Sequence, residues 1–256
     1  PANPERLAVG RQAGWQIGHF QTYLLSTIYA PPHDSPIYYV PMYLRDRVII
    51  LKKEPLREQD RRYMMYGQEH GLLIAVARGA SSPRSKQAGH LEPFSAAEVM
   101  IANGRAFDTL AVAIGVKSQK SKVKSPLPFY VILGAFSDLI IKLTRPGIAD
   151  ERIFFLLQEA IETLANLSEP PSPERARFIY AAATLRLLDC VGFAPHLDQP
   201  LLVFMRRAPL ADLLRVTAMR GAFIAACAFV EDALEHTPLE GEPHGGKTVA
   251  SLLGAL

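Results

Sequence analysis

Residues 116–125, VKSQKSKVKS, divide this chain into two parts with different hydrophobic rhythms. The stretch carries no apolar period and reads as a linker. Before it, short β-branched and alternating runs predict strands; after it, apolar residues recur at helical spacing. Strands grouped first and helices grouped afterwards imply an α+β chain rather than an alternating α/β sheet. The expected layout is a loosely structured extension over 1–42, an N-terminal OB-fold β-barrel over 43–116, a basic linker over 117–125 and an α-helical domain over 126–256.

The strand half supports five segments. RVIILKKE is apolar and β-branched, and RRYMMYG places Arg62, Met64 and Tyr66 on one face and Arg61, Tyr63 and Met65 on the other. EHG turns the chain into LLIAVARG. AAEVMIA and RAFDTLAVA flank Asn103-Gly104, a dipeptide that favours a type I′ hairpin turn because both residues tolerate positive φ. Five short strands in so few residues suit a small closed barrel. Residues 1–42 include APPHDSPIYYVP, whose prolines remove donors and prevent a helix.

The helical half reads as PLPFYVILGAFSDLIIKL, DERIFFLLQEAIETLANL, SPERARFIYAAATLRLLDCVG, one long helix over PLADLLRVTAMRGAFIAACAFVEDALEHT, and a closing KTVASLLGAL. The third carries full punctuation: Ser172 as N-cap, Pro173 at the first helical position, Glu174 in the first turn and Gly192 at the left-handed cap. A helical domain is therefore expected behind the barrel.

Charge separates the halves as well. Residues 45–124 hold 15 Lys or Arg against 8 Asp or Glu, whereas residues 125–256 hold 11 against 15. A basic module joined to a mildly acidic one suits a polyanion binder linked to a structural or partner-binding part. The cations are Lys52, Lys53, Arg57, Arg61 and Arg62 around the first two strands, and Arg78, Arg84 and Lys86 in ARGASSPRSK. Arg105 follows the hairpin turn, and Lys117, Lys120, Lys122 and Lys124 line the linker. Such residues pair with phosphates, and Tyr63, Tyr66 or Phe107 offer flat faces for stacked bases, although core packing is the commoner use of an aromatic in a small barrel.

Catalytic patterns are missing. The seven histidines are scattered without metal-ligand spacing, no nucleophile elbow occurs, and Cys190 and Cys227 make neither a disulfide framework nor a zinc set. Residues 241–248, GEPHGGKT, match the phosphate-binding loop G-x-x-x-x-G-K-[ST]. That loop works only between a buried strand and a long helix, whereas here a helical pattern precedes it and VASLLGAL alone follows. It reads as a turn between helices. No apolar run approaches the roughly 20 residues that cross a bilayer, and the opening residues lack a signal-peptide layout, so an intracellular, non-membrane protein is expected.

Two blocks carry a family resemblance. In the strand half stand Glu58, Glu69-His70-Gly71, Arg78-Gly79-Ala80, Arg84-Ser85 and Leu91-Glu92-Pro93-Phe94. In the helical half stand Leu187, Leu188, Gly192, Phe193, Pro195, Leu197 and Asp198. In this order they resemble the RecO family of DNA repair and recombination mediators, over about Tyr43 to the end of the chain. Many relatives place a zinc-binding cysteine after the Leu-Asp; this chain has Gln199-Pro200 and no C-x-x-C, which implies no metal and no cofactor. Residues 1–42 match nothing in the family. GGKTVASLLGAL, with Lys247, Ser251 and Leu252, falls where family members carry a short Gly-Lys segment.

The resemblance implies a non-enzymatic cytoplasmic, nucleoid-associated protein. Its implied work is to bind single- and double-stranded DNA, anneal complementary strands and, with RecR, help load RecA on strands coated by the single-stranded-DNA-binding protein (SSB). The helical domain is implied to take the acidic, apolar SSB tail, and Lys142, Arg145 and Arg152 are assigned to it as basic residues beside apolar faces. The alternatives are a non-catalytic protein-interaction scaffold with a basic OB-like barrel and, more remotely, a nucleotide hydrolase using Gly241–Thr248.

Overall fold

The computed structural model describes residues 43–82, 88–104, 106–116, 127–167, 169, 171–216 and 220–238. The 1–42 extension, the 117–125 linker and GEPHGGKT lie outside the described residues. The α+β order is as expected: five strands come first and helices follow.

The strands are β1 (Tyr43–Pro55), β2 (Arg61–Gly67), β3 (Gly71–Ala77), β4 (Ala96–Ala102) and β5 (Thr109–Gly115). They pair in the order β1-β2-β3-β5-β4, and β4 returns to β1 to close the sheet. Every pairing is antiparallel except the β3–β5 seam, which is parallel and rests on one registered pair, Val76 with Thr109.

β1 is apolar without alternation because both its faces are covered. Val48 and Ile50 enter the cluster inside the sheet with Tyr63, Met65, Val99 and Ile101. Ile49 and Leu51 belong instead to the cluster that continues into the helices. The register shifts between Ile50 and Lys52, so Leu51 is the extra residue of a bulge. Without it, strict alternation would swing Lys52 into the interior; with it, Lys52 pairs opposite Met64 and stays exposed. The period-2 reading of β2 holds too: Tyr63 and Met65 point inside, while Tyr66 points outward and is buried by the helices.

The EHG turn has a buried anchor. Both carboxylate oxygens of Asp46 accept the Glu69 amide, and Oδ2 also accepts from His70 N at 3.0 Å and lies 3.1 Å from its Nδ1. Asp46 is 7% exposed, so these bonds replace the water it has lost. Gly71 follows at φ +68°, and a Cβ there would meet Ile148 O at 2.2 Å. Only glycine suits that close approach.

The expected hairpin between β4 and β5 is present, but its turn is not the type I′ pair. Ala102 is opposite Thr109, so six residues intervene rather than two. Gly104 is absent from the positive-φ glycines. Its N–H donates to Asp108 Oδ1 at 3.1 Å, and a Cβ on it would strike Phe107 O at 2.0 Å. Asp108 thus organises a wider loop than Asn-Gly alone suggests.

The helices are α1 (Leu127–Leu143), α2 (Glu151–Ala165), α3 (Pro173–Cys190), α4 (Pro200–Arg207), α5 (Leu210–Leu213) and α6 (Arg220–Glu235). α3 is buried nearly all round, including Phe178, Tyr180, Ala182, Leu185 and Leu188, and forms the centre of the helical layer. Its expected punctuation is in place: Ser172 accepts from Arg175 N, Pro173 starts the helix, and Gly192 ends it at φ +84°.

Two helical expectations need correction. The single helix over 209–237 is two, α5 and α6. After α5 the chain tightens through Arg215 N to Asp212 O and Val216 N to Leu213 O, and Arg175 takes Val216 O from outside the helix. That carbonyl accepts a side-chain donor where a helix begun at Leu210 turns away. Sequence reading also passed over α4, whose eight residues are too few to show a period. Pro200 starts it, Leu202 and Met205 anchor it, and Ala208, extended before Pro209, stops it.

Sheet and helices share one apolar cluster. Ile49, Leu51, Tyr66, Leu72, Phe94 and Ala96 of the strand half pack with Phe129, Phe136, Phe154 and Leu157 of the helices. Tyr66 also ties them by hydrogen bonds, donating to Asp150 O at 3.2 Å and accepting from Asp150 N at 3.3 Å.

Candidate nucleic-acid interface

The cations singled out from sequence fall into two chemical groups. Lys52, Lys53 and Arg62 are neutralised by acids of this chain. Lys52 lies 3.4 Å from both Glu54 and Asp138 of α1. Partial burial pulls its ammonium down, but Asp138 and Glu54 outweigh that and hold it above the ordinary lysine value. Lys53 pairs with Glu92. Arg62 grips Glu54 through Nε and Nη2, and that hydrogen bonding holds the Glu54 carboxyl below its ordinary value. These pairs are half-exposed and contribute little to stability. They matter because a phosphate approaching any of the three must compete with a carboxylate already there.

Arg57, Arg61 and Arg78 form the second group. None has an acidic partner within ion-pair distance among the described residues, and all lie at one end of the closed sheet. Arg57 sits in the β1–β2 turn, Arg61 opens β2 opposite Ala77, and Arg78 follows Ala77 at the end of β3. Arg57 and Arg78 are exposed and Arg61 is half-exposed. The two loops carrying Arg57 and Arg78 are bound to each other: Gly79 N donates to Asp60 Oδ1 at 3.0 Å and Ser81 N to Gln59 O at 3.0 Å. Ala80, buried in the sheet interior, anchors the second loop from below. Arg84, Lys86, Arg105, Lys117, Lys120, Lys122 and Lys124 lie outside the described residues.

The aromatics separate as sharply. Tyr63 is 2% exposed and Tyr66 0%, so neither offers a face to a base. Burial raises the Tyr63 hydroxyl and pushes that of Tyr66 up to about 12. Phe107, in the β4–β5 loop, is 60% exposed.

The residues assigned to a protein partner are engaged within the chain. Arg152 makes a two-pronged bond to Asp150, at 3.1 Å from Nε to Oδ1 and 2.7 Å from Nη2 to Oδ2, and donates to Cys190 O at 2.9 Å. It ties the start of α2 to the end of α3 and is not a free cation. Lys142 and Arg145 also have interactions of their own.

Sequence reading missed one surface. Arg45 and Arg47 of β1 point outward opposite Met100 and Glu98 of β4, which lie in turn opposite Val112 and Ile114 of β5. Together they line a depression of about 450 Å³ with an apolar floor, in which Ile114 is 60% exposed. Alternation from buried Leu110 would put Val112 and Ile114 inside; a second register shift, between Met100 and Ile101, makes Ala111 an extra residue of β5 and turns both outward.

Comparison with known proteins follows the same division of the chain. Residues 42–119 match the family model described as recombination protein O N terminal, and residues 129–203 match recombination protein O C terminal. The chain belongs to the RecO family. The DNA repair protein RecO of Rubrobacter xylanophilus is 30% identical over 154 residues, covering 60% of this chain and 59% of the relative. The DNA repair protein RecO of Pelotomaculum thermopropionicum is 28% identical over 155 residues, 59% of this chain and 56% of the relative. That of Dehalococcoides mccartyi is 29% identical over 172 residues, covering 66% and 60%. The match thus spans less than two thirds of the length of these RecO proteins. The matched C-terminal region stops at residue 203, inside α4.

Proposed function

We propose that this chain is a DNA-binding mediator of repair and recombination that works without an active site. On this reading the closed sheet is an OB-fold whose loop end holds nucleic acid by its backbone. The protein anneals complementary strands and, with RecR, helps RecA load on single strands coated by SSB. The observation that carries the proposal is the gathering of Arg57, Arg61 and Arg78, with no acid at ion-pair distance among the described residues, on two loops fastened together and the strand start beside them in a RecO-family chain. Three cations not ion-paired to a carboxylate among the described residues displace the ions condensed on DNA when they meet its phosphates, which gives affinity that is indifferent to sequence and sensitive to salt.

The test is fluorescence anisotropy with single-stranded oligonucleotides of several sequences across a salt series. Reversing Arg57, Arg61 and Arg78 to Glu is expected to weaken every sequence alike and to flatten the slope of log K against log salt by about 2. Reversing Lys52 and Arg62 is expected to do much less, because their carboxylates already neutralise them. No binding by the unaltered chain at low salt would sink the proposal.

A second reading, a protein-interaction scaffold, is favoured by the exposed Val112 and Ile114 on the outer sheet face. Retained capture of RecR or SSB by a chain with no DNA affinity would select it.

A further inference from the structure

The acid nearest the three arginines poses a question of sign. Asp60 directly precedes Arg61 and lies in the same turn as Arg57. By charge alone it opposes any phosphate there, and its removal should tighten DNA binding. Its geometry says otherwise. Asp60 Oδ1 accepts the Gly79 amide at 3.0 Å, and its backbone carbonyl accepts Leu56 N at 3.2 Å, which closes the β1–β2 turn.

We infer that Asp60 is a positioning residue for the DNA-binding end: its side-chain oxygen, rather than its charge, fixes the Arg78 loop beside Arg57 and Arg61. Three observations converge on this. Gly79 sits at φ +63°, a conformation that reverses the chain between exposed Arg78 and buried Ala80. Next in the loop, Ser81 N makes the second tie, to Gln59 O, so Asp60 and Gln59 hold consecutive parts of one loop. Ser82 N then bonds Gly79 O at 3.0 Å, closing the loop on itself. Arg78 therefore rides on a segment that those two bonds attach to the β1–β2 turn. A loop held in place presents its cation without paying to order it on binding, whereas a released loop pays that cost each time.

The inference rests on the proposed DNA binding and is separable from it, because two substitutions that remove the same charge should act in opposite directions. Asp60→Asn keeps an acceptor oxygen for Gly79 N and removes the negative charge, so affinity for a mixed-sequence single-stranded oligonucleotide should hold or rise. Asp60→Ala removes both, and affinity should fall about tenfold, the lower end of the weight of one hydrogen bond to a charged acceptor. Ser81→Pro deletes the second tie and no charge, and should also weaken binding.

All three are to be measured on the full chain by anisotropy at one salt concentration. Thermal melts check folding, and hydrogen exchange over residues 78–82 is expected to quicken in Asp60→Ala and not in Asp60→Asn. If the unaltered chain binds no DNA, the functional reading fails and this inference with it. If it binds, and Asp60→Ala tightens binding as Asp60→Asn does while Ser81→Pro leaves it unchanged, the inference alone is overturned.

Discussion

Tyr66 shows how one side chain joins two layers. Its ring fills the apolar cluster between sheet and helices, and its hydroxyl both donates to and accepts from the backbone of Asp150. Tyr66→Phe keeps the ring and leaves the Asp150 amide without its acceptor, while Asp150 O still accepts from Ile153 N; we expect a loss of about 1–2 kcal/mol in denaturant unfolding with little change in salt-dependent DNA affinity. Asp46 illustrates what remains hidden at this scale. The EHG turn was legible as a turn, but nothing in RDRVIIL announces that its aspartate is the buried acceptor for that turn, since the two meet only when β1 and β2 pair. The free and neutralised cations were equally indistinguishable in sequence. Lys52 and Arg57 are five positions apart and alike in composition, and only the approach of Glu54 and Asp138 separates them.

Elements were read best where punctuation is local. Ser172, Pro173 and Gly192 bracket α3 as written, because a cap is a property of adjacent residues. Elements defined by distant partners were read worst. The bulge at Leu51 depends on what β1 must touch on each face, and the break between α5 and α6 depends on Arg175, some forty residues earlier. α2 supplies a test at this scale. Asp150 caps it by accepting Arg152 N, and the hydrogen bond from the Arg152 side chain, with that charge beside it, holds the Asp150 carboxyl below its ordinary value. A carboxyl depressed in the folded chain stabilises it fully above the ordinary aspartate range, and the contribution is lost as pH falls through the folded value. Acid should therefore destabilise the unaltered chain progressively below about pH 4, and Asp150→Asn should flatten that dependence in melts followed by circular dichroism.

For the molecule as a whole, the expected division into a barrel and a helical domain describes chain order better than it describes the core. The strand half owns an interior cluster, but Ile49, Leu51, Tyr66, Leu72 and Phe94 turn their side chains to the helices. A fragment covering Tyr43–Gly115 should expose that surface and aggregate, or fold only with the helical part supplied in trans. The longer chain should unfold in one transition, with circular dichroism and tyrosine fluorescence coinciding. This shared core was out of reach of periodicity, which reports that β1 is apolar on both faces without saying what lies against the second.

The ring of strands has unequal links. Four of its five joints are ladders several residues long, whereas the fifth is the Val76–Thr109 pair, reinforced by Val76 N donating to Asp108 O at 2.8 Å. A closed chain of links yields at its weakest, and parting this one sacrifices the fewest hydrogen bonds. The cylinder therefore has a built-in hasp, set between the arginine-bearing end of β3 and the loop that displays Phe107, where the wall can widen while the rest of the circumference stays fastened.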